Sequence, residues 1–475
     1  MSKKAGIWLT SVALLVLAAG PALGQGFLDV SRQAGVADDG LGKGVAFADI
    51  NNDGFVDLYV SNKGGSNKLY LNNADGTFKD VTATAGAGID SPGFTMGSVF
   101  GDYDNDGDVD LYLATGGQYE IEANRLFANN GDGTFTEVTT AAGVGLKAFT
   151  YSASFVDYDN DGDLDLYCAN YGVGAKNVLF ANNGDGTFTD VTDAAGVGDK
   201  SWSWMGIWSD VDNDGDVDLY VVNGRYPAGE PNKLFVNNGN GTFTEGAAAA
   251  GINDANWGLG ASFADIDNDG DQDLFVSNYI GGNNLYLNDG QGAFTKASHK
   301  IAAGDEGWGK GPTFGDVDND GDLDLYEGDC KRANQMYMND GKGNFVNVAD
   351  DQPQLQCATV RTKGTAFADI DNDGDLDLYV INWGAENKLY KNTQNDGNWL
   401  KIAGLGYGAK VALYDGDQLV ATREVKSATG FCAQEPSVVH FGVKAGKTYT
   451  AKISFPGGGK ASVAVKAGQT LEITE

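Results

Sequence analysis

One acidic stretch returns seven times in this chain. Its second copy reads Asp102-Tyr-Asp-Asn-Asp-Gly-Asp-Val-Asp110, and the copies begin at Asp49, Asp102, Asp157, Asp210, Asp265, Asp316 and Asp369. The intervals run from 51 to 55 residues. That is the length of one supersecondary unit, so the chain is constrained to an array of similar units, each covering its neighbour.

Six copies place carboxylates at loop positions one, three, five and nine, the first has Asn51 at three, and all have glycine at six. Alternate side chains can converge on one point, the position-seven carbonyl can add an oxygen, and glycine permits the sharp turn, which is what an oxygen-seeking Ca2+ requires. Without a cation these aspartates would repel one another. The candidate ligands are Asp49, Asn51, Asp53, Phe55 and Asp57 in the first loop and Asp102, Asp104, Asp106, Asp108 and Asp110 in the second. They are Asp157, Asp159, Asp161, Asp163 and Asp165 in the third and Asp210, Asp212, Asp214, Asp216 and Asp218 in the fourth. The fifth offers Asp265, Asp267, Asp269, Asp271 and Asp273, and the sixth Asp316, Asp318, Asp320, Asp322 and Asp324. The seventh offers Asp369, Asp371, Asp373, Asp375 and Asp377. Asn51 and Phe55 make the first loop the poorest in charge. We expect up to seven structural Ca2+ ions.

No helix-like pattern flanks the loops. The runs before and after them, such as Val45-Ala-Phe-Ala48 and Asp57-Leu-Tyr-Val60, read as strands. A third strand follows (Asn67-Lys-Leu-Tyr70), then a tight Asp-Gly turn and a fourth (Phe78). Four short strands, seven times over, predict an all-β, seven-bladed propeller over residues 25–398. Two residues before each loop stands an aromatic (Phe47, Phe100, Phe155, Trp208, Phe263, Phe314, Phe367), expected in the core between blades.

The seventh repeat lacks its fourth strand, while Phe27-Leu-Asp-Val-Ser31 near the start matches Phe188-Thr-Asp-Val-Thr192. Pairing the two would close the ring and remove exposed edges. Ahead of this, Lys3 and Lys4, an apolar run from Ile7 to Ala19 and small residues to Gly24 read as a secretory signal peptide over 1–24, with no second apolar run long enough to span a membrane. We therefore expect a secreted or extracellular protein, at the periplasm or cell surface if not released. Residues 399–475 lose the acidic loop and read as a small C-terminal β-sandwich-like domain.

These repeats resemble the FG-GAP/VCBS family, whose calcium loops decorate integrin-like propellers. The tail resembles the ASPIC/UnbV domain through Gly408-Ala-Lys-Val411, Arg423-Glu-Val-Lys-Ser427, Gly430-Phe431, Val439-His-Phe-Gly442 and Val465-Lys-Ala-Gly-Gln-Thr-Leu471. Phe455-Pro-Gly-Gly departs from the tail's usual Trp-Pro-Ser-Gly. Together they are similar to bacterial relatives of the cartilage acidic protein family. The resemblance implies a secreted calcium-binding protein of extracellular interaction, adhesion or matrix.

Function classes narrow from here. The formal charge is −34, and −36 without Lys3 and Lys4, which excludes nucleic acid and anionic lipid as partners. Two histidines, His299 and His440, and no nucleophile elbow, paired-His zinc spacing or phosphate loop argue against an enzyme, leaving only a hydrolase of unrecognised site. A second ring of positions lies eight and six residues before the loops. There Phe149, Tyr151, Trp202, Trp204, Trp257 and Trp308 face Lys43, Lys310, Arg361 and Lys363 across the channel mouth opposite the loops. They either plug the channel or form a lectin-like site for acidic polysaccharide.

Of four cysteines, Cys330 and Cys357 fall on one face and are expected to bridge, while Cys168 reads as a buried thiol. A bond from Cys168 to Cys432 of another molecule would build a self-associating filament. We expect a non-enzymatic partner for an extracellular protein, surface or glycan.

Overall fold

In the computed structural model, the described residues are 26–473 apart from 92, 118–121, 226–228, 298–300, 302–307 and 395. The leader expected over Met1–Gly24 and His299 lie outside them. The protein is all-β. Seven four-stranded antiparallel sheets follow one another, each built as blade one is: Gly42–Ala48, Asp57–Asn62, Lys68–Asn72 and Phe78–Asp80. The innermost strands of the later blades are Thr95–Gly101, Thr150–Val156, Ser203–Ser209, Gly258–Ala264, Gly309–Gly315 and Thr362–Ala368. Each touches the next, and the seventh touches the first. Phe27–Asp29 supplies the outer strand of blade seven, with Phe27 opposite Asn392 and Asp29 opposite Tyr390.

The repeat explains how blades hold together. The aromatic two residues before each loop is buried, and five of the seven pack edge-on against a neighbour's second-strand ring, as Phe47 does on Tyr379 at 6.2 Å and Phe100 on Tyr59 at 6.4 Å. Such pairs contribute about 0.5–1.5 kcal/mol beyond burial alone. The asparagine ending each third strand reaches back to the preceding blade. Asn129 Nδ2 donates to the Ile50 carbonyl at 2.8 Å, Asn182 to Tyr103 at 2.7 Å, and Asn72 to Ile370 of blade seven at 2.7 Å.

Each innermost strand bulges after its first residue, as between Gly42 and Gly44 or Gly258 and Gly260. A bulge leaves one residue unpaired and re-aims its side chain. The bulged residues include Lys43, Met96, Tyr151, Trp204, Leu259, Lys310 and Lys363, which is why this set leaves the sheet plane.

Residues 399–472 form two further sheets. One orders Val439–Gly442, Trp399–Ala403 and Gln469–Glu472; the other orders Gln418–Glu424, Lys410–Asp415, Thr448–Ser454 and Lys460–Lys466. Leu400, Ile402, Val411, Phe441 and Ile453 pack between them. This tail rests on the loop-bearing face of the ring, and one segment of it enters the channel. Ala433–Gln434 pairs in parallel with Val45–Ala46, making blade one five-stranded, and Gly430 exchanges backbone hydrogen bonds with Ala261. Glycine on the ring makes this approach possible: a Cβ on Gly44 would lie 2.5 Å from the Cys432 carbonyl oxygen.

Removing residues 26–36 strips an outer strand and the buried Phe27, Ala34 and Val36 from blade seven and its junction with blade one. The expected outcome in calorimetry is a lower melting midpoint for the whole ring; an unchanged midpoint would show that the strand carries no stability.

Candidate metal loops and channel mouth

Each loop is shaped by its own aspartates. In loop two, Asp102 Oδ1 accepts the N–H of Asp106 at 3.1 Å and Oδ2 that of Gly107 at 2.9 Å. The position-four asparagines, from Asn52 to Asn372, all take left-handed backbone angles, as asparagine tolerates. The position-nine carboxylate is the keystone. Asp110 Oδ2 accepts from Tyr103 N at 3.1 Å and Oδ1 from Asn129 N at 2.8 Å, so one buried side chain ties the loop to the third strand. Asp57, Asp165, Asp218, Asp273, Asp324 and Asp377 do the same.

That keystone is costly as an anion. Burial pushes Asp57 up to about 7 and Asp110, Asp165, Asp218 and Asp273 up to about 8, against backbone hydrogen bonds that pull the other way. Asp324 and Asp377 are driven upward by the same cause. Neighbouring loop aspartates add to the rise.

The carboxylates converge. One oxygen from each of Asp102, Asp104 and Asp110 lies within 4.8 Å of the others, and so do those of Asp157, Asp159 and Asp165 and of Asp210, Asp212 and Asp218. Loops five and six gather Asp265, Asp267 and Asp269, and Asp316, Asp318 and Asp320. Several of these oxygens are enclosed without a donor: Asp212, Asp265, Asp267, Asp318, Asp369 and Asp371 each leave Oδ1 unmatched. An all-oxygen set with orphaned, buried acceptors fits a hard divalent cation.

Two features of the loops carried no signal in the sequence. The position-seven carboxylates do not turn toward their own loop. Asp108 accepts from Asn52 at 2.7 Å, Asp163 from Asn105 at 2.7 Å, Asp216 from Asn160 at 2.6 Å and Asp271 from Asn213 at 2.8 Å. Asp322 and Asp375 likewise accept from Asn268 and Asn319, and Asn372, meeting Phe55 in loop one, donates to the Gly54 carbonyl instead. Position seven is thus a latch between successive loops. In loop seven, ammonium groups already meet the charge: Lys401 Nζ lies 2.6 Å from Asp369 Oδ2, and Lys391 pairs with Asp371 and, at 3.5 Å, Asp373.

The tail docks on these loops directly. Thr422 N donates to Asp265 Oδ2 at 3.1 Å and Gly442 N to Asp316 Oδ2 at 2.6 Å. Buried Arg423 donates to the Gly321 and His440 carbonyls. Between tail and loops five to seven lies a cavity of about 410 Å³ whose wall includes Gln272, Arg423, Glu424 and Lys426. Burial pushes His440 down to about 4, so its ring is neutral, and its Nε2 donates to the Gly374 carbonyl at 2.8 Å. His440 is a strut between tail and loop.

At the opposite mouth the expected aromatics form one chain of contacts. Phe149 and Tyr151 lie 5.1 Å apart, Tyr151 and Trp204 4.4 Å, Trp204 and Trp257 6.4 Å. Tyr171 and Tyr279, which carried no sequence signal, bridge Trp202 to Trp204 and Trp257 to Trp308. Phe431 fills the middle, fully buried, 6.0 Å from Tyr151 and 6.2 Å from Trp204. The channel is therefore plugged, but by the tail. Lys43, Lys310 and Lys363 join the cluster, together with Trp383. Arg361 does not: it is exposed, and its guanidinium makes no contact of charge, hydrogen bond or ring among the described residues.

The expected Cys330–Cys357 bridge is absent; all four thiols are free. Cys330 Sγ turns inward to the Thr362 carbonyl and Lys363, whereas Cys357 Sγ sits by Tyr390 OH in the outer half of blade seven. The intermolecular bond is overturned too, because Cys168 and Cys432 are both buried, beyond reach of a second molecule's thiol.

Among the described residues no helix is long and apolar enough to cross a membrane. The chain is 25% identical to cartilage acidic protein 1 of Mus musculus, over 92% of this chain and 73% of that protein, and 24% identical to that of Homo sapiens, over 92% and 72%. Among solved structures, YCF48 from Cyanidioschyzon merolae superposes with a TM-score of 0.46 at 9% identity, over 77% of this chain and 98% of that one. The ASPIC and UnbV family matches residues 403–475. The FG-GAP-like repeat family matches residues 49–113, 102–168, 157–221, 210–276, 265–327 and 328–380, and the chain belongs to it.

Proposed function

We propose that this protein is a calcium-stabilised, non-enzymatic interaction protein of the extracellular space. The observation that carries the reading is the set of converging loop carboxylates with enclosed, donor-less oxygens. Positions one and three would hold the ion, with position nine in loops two to four and position five in loops five and six, and the ion would supply positive charge where the fold has buried negative charge. Loop seven, with Lys391 and Lys401 on its carboxylates, gains least from a metal. The likeness to cartilage acidic protein 1 favours binding over catalysis. An exported chain is the setting in which calcium of this affinity class is available to fill such loops.

Calorimetric titration of the chelator-treated protein should give at least five calcium sites per chain, one for each converging cluster named above. The unfolding free energy should rise with calcium as ligand linkage requires, by roughly 2.7 kcal/mol per site at a hundredfold excess over Kd, and the melting midpoint should rise with it. No heat and no shift would end the calcium reading. Asp104→Asn should weaken one site and leave the others; loss of every site would mean that the loops act as one.

The pH trend should change sign with calcium. Without metal, the folded keystones hold their protons up to about 7 or 8, whereas the unfolded carboxylate releases its proton near 3.8. The folded state then binds more protons between those values, so the chelated protein loses stability as pH rises from 4 to 8. With calcium the anionic form is held, and stability falls as pH drops toward 4. Melting scans at pH 5 and pH 8, with calcium and with chelator, test both slopes; parallel trends would contradict the assignment.

A further inference from the structure

Three bulge lysines converge beside Phe431 at the mouth opposite the loops. Lys43, Lys310 and Lys363 are each more than nine-tenths buried. Lys43 Nζ lies 4.6 Å from the Trp383 ring centre and 5.9 Å from that of Phe431; Lys310 Nζ lies 4.4 Å from Phe431 and 5.3 Å from Trp204. Lys363 and the half-buried Lys63 share the Trp383 ring at 5.5 and 5.8 Å. Among the described residues none of these four makes an ion pair, and the Lys43 and Lys310 ammonium groups have no hydrogen-bond acceptor.

Aromatic faces attract such cations without neutralising them. Burial and the neighbouring lysines drive Lys43 well below its ordinary value and Lys310 down to about 8. In a chain of net charge −34, a single aspartate could have offset this cluster; among the described residues none makes an ion pair with it. Cations continue outward to the rim, where exposed Arg225 covers Trp202 at 4.8 Å and exposed Lys331 covers Trp308 at 4.9 Å. Half-buried Phe149 and Trp257 lie between, offering ring surface of the kind that packs on sugar C–H faces.

We propose that this mouth binds a short anionic saccharide, its sulfate or carboxylate group seated on Lys43 and Lys310. Arg225 and Lys331 meet further charge at the rim. The protein's net negative charge repels a long polyanion from the rest of the surface, which restricts recognition to a chain end or a short unit. The assignment deepens the interaction reading above and rests on it only in taking the calcium-loaded protein as the binding form.

The test is calorimetry of the calcium-loaded full chain with a sulfated disaccharide, a uronate-containing disaccharide, the neutral parent sugar and inorganic sulfate. A charged sugar should bind saturably, the neutral parent should not, and inorganic sulfate should bind at least roughly tenfold more weakly. Lys43→Met with Lys310→Met, which keeps the apolar stems, should cost roughly tenfold or more in affinity while the calcium-induced rise in melting midpoint persists. Arg361→Ala should bind as the native protein does. No binding of either charged sugar, equal binding of inorganic sulfate, or undiminished binding by the double variant overturns the proposal. Should that variant unfold, Arg225→Ala with Lys331→Ala decides: a loss of roughly threefold or more supports it, and unchanged affinity overturns it. A calcium effect without sugar binding removes this proposal alone, whereas sugar binding without a calcium effect removes the calcium reading alone.

Discussion

The structure depends on carboxylate charge buried at the turn of every blade. Each position-nine aspartate gives both oxygens to backbone N–H groups, and charge-assisted bonds of this kind contribute roughly 1.5–3 kcal/mol apiece. The same side chain is nearly enclosed, so its anionic form is opposed by desolvation. The two demands conflict as long as the loop holds only acids. A divalent cation would resolve the conflict in loops whose carboxylates converge, and loop seven shows a second solution in Lys391 and Lys401. Because position-four asparagines join each loop to the next, the loops form a ring of their own, and charge in one is felt at the hydrogen bonds of its neighbour.

The tail's placement follows from this. A face crowded with carboxylates repels most protein surface, but it favours one that presents N–H groups and cations. The tail supplies Thr422 N, Gly442 N, Arg423 and Lys401 to loops five to seven, and its apolar residues join those of blades two and three in one cluster. The segment that enters the channel is held by strand pairing to Val45–Ala46 and by Gln434, whose amide exchanges two hydrogen bonds with the Phe100 backbone as a strand would. Glycine at the channel wall leaves the space this requires.

Much of this was legible in the residues. Seven loops at regular intervals fixed the number of sheets, the aromatic before each loop marked the core between blades, and the likeness of Phe27-Leu-Asp-Val to Phe188-Thr-Asp-Val pointed to the strand that completes blade seven. Candidate ligands come together at positions one, three and nine in loops two to four and at one, three and five in loops five and six. The role of the position-seven carboxylate was not legible, because that position was assigned through its carbonyl and only the neighbouring loop's asparagine shows where the side chain goes. The cysteine pairing failed for a related reason. Chain order placed Cys330 and Cys357 on one face of the ring, but the pleat and the bulge decide whether a side chain faces the channel or the rim. Phe431 was quoted as part of a tail motif, and nothing in its spacing announced that it would cross the ring to stand among residues about 120 to 390 positions away.

That crossing ties the two ends of the channel together. Thr422 and Arg423 touch the loops at one face, and Phe431 stands among the lysines of the other, with only a short run of chain between. The insertion has little apolar surface of its own beyond Phe431 and Cys432, so its position is set by what anchors it at either side. On one side these are hydrogen bonds to loop carboxylates; on the other they are aromatic and cationic contacts around one phenyl ring. A change in the charge of loops five to seven alters the seat of Thr422 and Gly442, and the strand that carries Phe431 lies between those two anchors. The two ends of the channel thus share one short run of the tail, held by loop carboxylates on one side and by rings and ammonium groups on the other.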